Sequence, residues 1–218
     1  MTSSAHALLS RRPGAEQIMA MPESVPPPNR LRKSWTAREV RQLIAQSPLS
    51  TPRYELVDGE LLVTPSPNFA HQRAVSLLLR ILDDYMRLTR IGVALASPFD
   101  VELQPEFLSQ PDVFVLPMAE ARRVATMMPA CELLLAAEVL SPSSGRIDRV
   151  VKKRRYQQSV PEYWIVDLDA RLFERWSPND DRPRILTDVL EWHPEGAPNS
   201  LRLDVVKYFE AVFELFES

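Results

Sequence analysis

With 218 residues, 45 % of them apolar, the chain is long enough for one domain with a sizeable core, or one domain plus an extension. A net charge of −3 and a pI near 5.7 exclude the overall basic excess of a protein that coats nucleic acid, so any such contact must be local. The lone Cys131 excludes an intramolecular disulfide and a multi-cysteine zinc site, and no run has the length of a membrane span or the apolar core of a secretory signal; a soluble cytoplasmic protein with no membrane partner is expected.

Residues 1–33 mix Ser, Arg and Pro without helical or strand periodicity, which predicts a flexible N-terminal extension ahead of a domain over 34–218. Thr36-Ala37-Arg38-Glu39 has capping-box spacing and predicts a short helix that ends by Pro48. Asp58-Gly59 tolerates the positive φ angles of a type I′ turn, so Tyr54–Val57 and Glu60–Val63 should form a hairpin. After Pro65-Ser66-Pro67, the apolar spacing of Ala74, Leu77, Leu78, Ile81, Leu82 and Tyr85 predicts an amphipathic helix over 70–90, closing near Gly92.

Strands are expected over 93–103 and 112–116, and a short helix over 118–126. Leu133 to Leu140 shows no alternation, the pattern of a strand covered on both faces, and its one charged member is Glu138. A turn over 141–145, a basic helix over 147–158 and a strand at Tyr163–Asp167 complete a strand, helix, strand unit whose two strands should run parallel. Segments near 172–176 and 185–192 fit edge strands, and Asp204 can cap a helix whose Val205, Tyr208, Phe209, Val212, Phe213 and Phe216 form an apolar stripe.

A carboxylate inside a buried apolar run is costly unless it is neutralised, hydrogen-bonded or bound to a cation, so Glu138 demands a partner. Asp112, opening a separate strand after Pro111, is the natural second acid, and two carboxylates on neighbouring strands can hold Mg²⁺ while phosphate and water complete its shell. The pattern equally allows a structural ion pair of Glu138 with Lys152 or an arginine. Asp148, Lys152 and Tyr156 recur at four-residue spacing and share one helical face, where the lysine can offset charge building on a phosphate. Arg146, Arg149, Lys153 and Arg154 offer local contacts to a phosphate backbone, or simply a solvated basic face. Tyr156 and Trp164 read as core residues.

The motifs run in a fixed order: Tyr54-Glu55-Leu56-Val57-Asp58-Gly59-Glu60-Leu61, Ser66-Pro67 with His71-Gln72, Gln110-Pro111-Asp112-Val113, Glu138-Val139-Leu140-Ser141-Pro142-Ser143, Asp148 with Lys152 and Tyr156, and Val160-Pro161-Glu162-Tyr163-Trp164-Ile165-Val166-Asp167. Together, over Tyr54 to Phe213, they resemble the Uma-type family of putative restriction endonucleases, a branch of the PD-(D/E)XK nuclease superfamily. The resemblance implies an α/β, restriction-endonuclease-like three-layer fold, with a central mixed β-sheet flanked by the helices at 70–90 and 147–158. It implies hydrolysis of DNA phosphodiester bonds with Mg²⁺, or Mn²⁺ in its place, and a homodimeric enzyme is expected.

By position, Asp112 matches the PD aspartate and Glu138 the following acid, with the Val139 backbone carbonyl as a further metal ligand. Leu140 stands where the usual lysine would be, and Lys152 on the next helix takes its place. Glu60 matches a further family acid that binds metal directly or through water. His71 matches a position that contacts phosphate or a catalytic water, although a histidine there also suits a helix cap or packing on Pro67. Glu55 and Asp148 are supporting candidates. The alternative is a non-catalytic module, in which the nuclease fold serves interaction or oligomerisation, and a third is a hydrolase of some other phosphate ester.

Overall fold

The computed structural model describes residues 34–47, 52–64, 66–126, 129–140, 145 and 147–215. The expected flexible extension over 1–33 lies outside them, as does most of the expected 141–145 turn. Helix α1 (Ala37–Gln46) starts on the anticipated capping box: the Thr36 hydroxyl accepts the Glu39 N–H at 3.3 Å and the Glu39 carboxylate accepts the Thr36 N–H at 3.0 Å. Asp58 and Gly59 take φ values of 53° and 79°, which turns β1 (Arg53–Val57) into β2 (Glu60–Thr64) as an antiparallel hairpin. Helix α2 (Phe69–Thr89) is capped by the Asn68 side chain and buries Ala74, Leu78, Leu82 and Tyr85. Its end differs from expectation, because Arg90 adopts the left-handed cap at φ 59°. Gly92 is already in β3 (Gly92–Ala96), where a Cβ would stand 2.3 Å from the Leu116 carbonyl oxygen. That glycine permits close strand packing instead of ending a helix.

The segment read as one strand over 93–103 breaks at Pro98 into β3 and β4 (Val101–Gln104), and an unanticipated β5 (Phe107–Ser109) follows. Next come β6 (Val113–Pro117), α3 (Met118–Val124) and β7 (Leu135–Val139). A π-helical stretch, Ile147–Lys152, runs straight into α4 (Lys153–Ser159), and β8 (Tyr163–Asp167) then pairs parallel with β7 as expected. The remainder is β9 (Leu172–Trp176), β10 (Arg184–Leu186), β11 (Val189–Trp192), β12 (Leu201–Asp204) and α5 (Val205–Phe213), with Asp204 capping α5. Of the expected edge strands, β10 edges the central sheet and β11 pairs only with β12 in a separate two-stranded ribbon, while β9 lies inside, between β10 and β8.

The central sheet is mixed, in the order β10-β9-β8-β7-β6-β3. Side-chain alternation divides it: Val113, Val115, Ala137, Val139, Trp164 and Val166 pack against α2 and α5, while Phe114, Ala136, Tyr163 and Ile165 pack with Tyr156 and Val160 of the α4 side. Each valine, isoleucine or phenylalanine of this set, fully buried, is worth roughly 1.5–3 kcal/mol. A second sheet, β2-β1-β5-β4, contributes Val57, Val101 and Phe107 to the α4-side core. The fold is therefore the expected three-layer α/β arrangement, with helices on both faces of the mixed sheet. Among the described residues no helix is long and apolar enough to cross a membrane.

One buried acid, on α3, gives a direct stability test. Glu120 on α3 accepts two Arg123 guanidinium N–H groups at 2.6 and 2.7 Å and the backbone N–H groups of Cys131 and Glu132 at 2.6 and 3.2 Å, tying α3 to the chain entering β7. Arg123, helped by those N–H groups against the cost of burial, depresses the carboxyl from 4.5 to about 2. A depressed carboxyl contributes stability above its ordinary value and loses it as pH falls toward the folded one. Glu120→Gln should thus lower the unfolding free energy by about 2 kcal/mol at neutral pH. In urea titrations the gap to wild type should close as pH falls from 4.5 to 2; a gap constant with pH would refute this account.

Candidate active site

The ladder between β6 and β7 pairs Val113 with Ala137 and Phe114 with Ala136, so one step further Asp112 lies opposite Glu138. Directly opposed residues of an antiparallel pair share a face, and both acids project toward the α4 side. Each is almost fully buried, at 3 % and 2 % exposure. Asp112 Oδ2 accepts the Val139 N–H at 2.9 Å and lies 3.1 Å from His71 Nε2, while its Oδ1 accepts from Arg53 Nη1 at 2.8 Å. His71 reaches it from the first turn of α2, the helix packed on the other face of the sheet. Burial alone would raise the Asp112 carboxyl, but His71, Arg53 and the Val139 N–H overcome it and hold the group well below the usual carboxylate range.

Lys152 answers the question its displacement poses, because its helix delivers the ammonium to the acids. Nζ lies 2.8 Å from Glu55 Oε2, 3.1 Å from Glu138 Oε1 and 3.5 Å from Asp148 Oδ1. Lys152 is the last residue of the π-helical stretch, whose wider turn keeps Asp148 and Lys152 together on the inward side. Burial would lower the lysine, yet Glu138, Glu55 and Asp148 more than reverse this and hold it as an ammonium. Glu138 goes the other way. Burial raises its carboxyl, and Asp112, Asp148 and Glu55 add to the rise against the pull of Lys152.

Glu55 comes from β1 and is fixed by the Gln110 N–H at 2.9 Å, immediately before the Pro111-Asp112 step. Tyr156 packs in the core as expected, stacked on Tyr163 with centroids 4.6 Å apart, but its hydroxyl also enters the site. The phenol donates to Glu138 Oε1 at 3.2 Å and lies 3.0 Å from Ser109 Oγ. Trp164 is wholly buried, in the core as expected.

Four carboxylates (Glu55, Asp112, Glu138, Asp148) therefore share one cluster with one ammonium and one guanidinium, two more acids than permanent cations. Among the described residues no three His, Cys, Asp or Glu side chains are gathered as a ready metal cage, because Lys152 and Arg53 stand between the acids. The donors fit a hard divalent cation all the same. Opposed Asp112 and Glu138 offer carboxylate oxygens on one face, one or two carboxylates suffice for Mg²⁺, and two added positive charges would balance the excess that burial and acid neighbours register on Glu138.

Other expected residues lie elsewhere. Glu60 is exposed just after the hairpin turn, opposite Val57, and among the described residues no hydrogen bond or ion pair joins it to the cluster; Glu55 is the hairpin acid that reaches Lys152. Arg149 donates to Glu174 at 2.6 Å and also to Asp167, pinning the π-helical stretch to β8 and β9. Lys153 sits 4.4 Å over the Trp176 ring, Arg154 is exposed, and Arg146 lies outside the described residues. Sequence reasoning missed Arg53. The signal was present, since Arg53 and Glu55 are two apart on a strand and so share a face: an acid placed in the site brings the arginine with it.

Comparison with known proteins agrees with this architecture. A family model described as "Uma2: Putative restriction endonuclease" matches residues 39–205, which include every member of the cluster. A crystal structure of a protein from Anabaena variabilis ATCC 29413, described as a putative nuclease belonging to DUF820, is similar in fold, with a TM-score of 0.65 and 16 % sequence identity over 78 % of this chain and 96 % of that one. Among curated proteins, none matches.

Proposed function

The chain belongs to the Uma2 family of restriction-endonuclease-like proteins, and from that premise we propose that it hydrolyses DNA phosphodiester bonds with the help of Mg²⁺ or Mn²⁺. The observation that carries this reading is the placement of Asp112 opposite Glu138, with the Lys152 ammonium 3.1 Å from the latter. In this reading the two carboxylates and the Val139 carbonyl would hold the cation. When bound, it would acidify a water and withdraw charge from the phosphate.

The chain's own groups do the rest. His71, Arg53 and the Val139 N–H keep Asp112 ionised and oriented. The Tyr156 hydroxyl and Lys152 both take Glu138 Oε1, which fixes that carboxylate. Three carboxylates keep Lys152 charged, so it orients and stabilises negative charge and does not act as a base. A neutral lysine would be needed for proton abstraction.

The test is incubation of the full chain with supercoiled and linear DNA in Mg²⁺, Mn²⁺ or EDTA. Nicked or linear products with either cation and none in EDTA are expected. Absence of products with every cation and DNA form would sink the proposal, as would cleavage indifferent to EDTA.

A further inference from the structure

A phosphodiester approaching this cluster meets an excess of buried carboxylates, so a cation at its more exposed side must receive it. Lys152 is poorly placed for that, because Glu55, Glu138 and Asp148 already surround its ammonium. Arg53 differs. Its side chain keeps 13 % of its exposure, against 6 % or less for His71, Lys152 and the four acids. Its Nη1 serves Asp112 Oδ1 at 2.8 Å and the Gln110 carbonyl at 3.3 Å. Nε and Nη2 have no partner among the described residues, and neither is among the sealed, unsatisfied atoms. One edge of the guanidinium is thus anchored on a proposed metal ligand while its other donors remain for a ligand.

We propose that Arg53 is a substrate-binding residue that takes the non-bridging oxygens of the phosphate to be cleaved, with Asp112 as its anchor. This rests on the nuclease reading and adds to it a named contact to the anion. Asp112 holds the guanidinium in place, which lowers the entropy lost on binding. Arginine suits the task because its planar fork matches two phosphate oxygens, whereas lysine offers only a point charge. Neighbouring Asp112 also puts the arginine beside the place where the cation would grip the same phosphate.

The experiment compares the full-length wild type with Arg53→Gln and Arg53→Lys by fluorescence anisotropy on a labelled DNA duplex, with Ca²⁺ replacing Mg²⁺ to slow cleavage, over a salt series. Arg53→Gln should weaken binding by roughly 10–100-fold. Its slope of log affinity against log salt should fall by about 0.9, the loss of one phosphate contact. Arg53→Lys, which keeps the charge beside Asp112, should lie between the two and stay folded by circular dichroism. If Arg53 only neutralises Asp112, Arg53→Gln will shift the Mg²⁺ concentration for half-maximal cleavage but leave DNA affinity and salt slope unchanged, which overturns the proposal. A wild type that binds and cleaves alongside equally competent variants removes the Arg53 role alone. A wild type that neither binds nor cleaves DNA removes both readings.

Discussion

Asp112→Asn should reduce DNA cleavage by about 10³-fold at saturating cation while leaving the chain folded, the scale expected when several kcal/mol of charge stabilisation is lost. The exchange preserves shape and removes charge. An asparagine oxygen can still accept the Val139 N–H, so the start of β6 keeps its place, but the ionised ligand that His71 and Arg53 maintain is gone. Stability should fall modestly, because a carboxyl held below its ordinary value is favoured by the fold in its charged form. Glu138→Gln makes the contrasting case. Burial and three neighbouring acids push the Glu138 carboxyl up, the opposite of Asp112, so removing its charge should cost less stability than Asp112→Asn does. Its amide oxygen can still accept from Lys152 and Tyr156. Activity should nevertheless be lost, since a neutral amide is a poor ligand for a hard cation. The pair of variants therefore separates site from scaffold. Thermal melts and single-turnover rates measure both, and an Asp112→Asn protein that cleaves like wild type would eliminate the metal-ligand assignment.

The sequence revealed this site unevenly, and the reasons are physical. Glu138 was legible because it breaks a run with no other polar group, and burial makes such an acid expensive enough to require a function or a partner. Asp58-Gly59 was legible because few residue pairs tolerate two successive positive φ angles. Gly92 misled, since a glycine after a helical pattern suggests a cap, whereas the constraint here is contact with the Leu116 carbonyl from a strand distant in sequence. Long-range contacts of that kind leave no local period. Strand β5 is only three residues, all buried, too short to alternate, and β12 drew no strand expectation although Leu201 and Leu203 are buried in strict alternation. The four-residue spacing of Asp148 and Lys152 correctly put them on one face, but it could not reveal the π-helical winding. Nor could spacing say which hairpin acid joins the cluster. That depends on how the second sheet docks, and the docking turns Glu55 inward and leaves Glu60 at the surface.

Lys152→Ala is expected to cost about 3–5 kcal/mol of stability, a penalty that can mask any catalytic effect. The residue is the ammonium shared by Glu55, Glu138 and Asp148, and its removal leaves three buried carboxylates facing one another. Activity lost in the single variant would thus be ambiguous between chemistry and unfolding. Combining Lys152→Gln with Glu55→Gln resolves it. The double exchange removes one cation and the nearest acid together, keeps polar groups that can hydrogen-bond across the 2.8 Å contact, and should recover much of the lost stability through coupling between neighbours. If Lys152 stabilises charge on the reacting phosphate, cleavage should stay down by about 10²–10³-fold even where the double variant melts near wild type. If the lysine serves only to neutralise the cluster, rate should return with stability. Denaturant titrations and single-turnover cleavage on both variants distinguish the two, and recovery of wild-type turnover by the double variant would confine Lys152 to the scaffold. The same measurements test the electrostatic logic of the cluster. A chain that buries three acids around one lysine and a fourth beside an arginine for structural reasons alone should gain stability as acids are removed, whereas a site built for a divalent cation should lose affinity for that cation with each acid that is replaced.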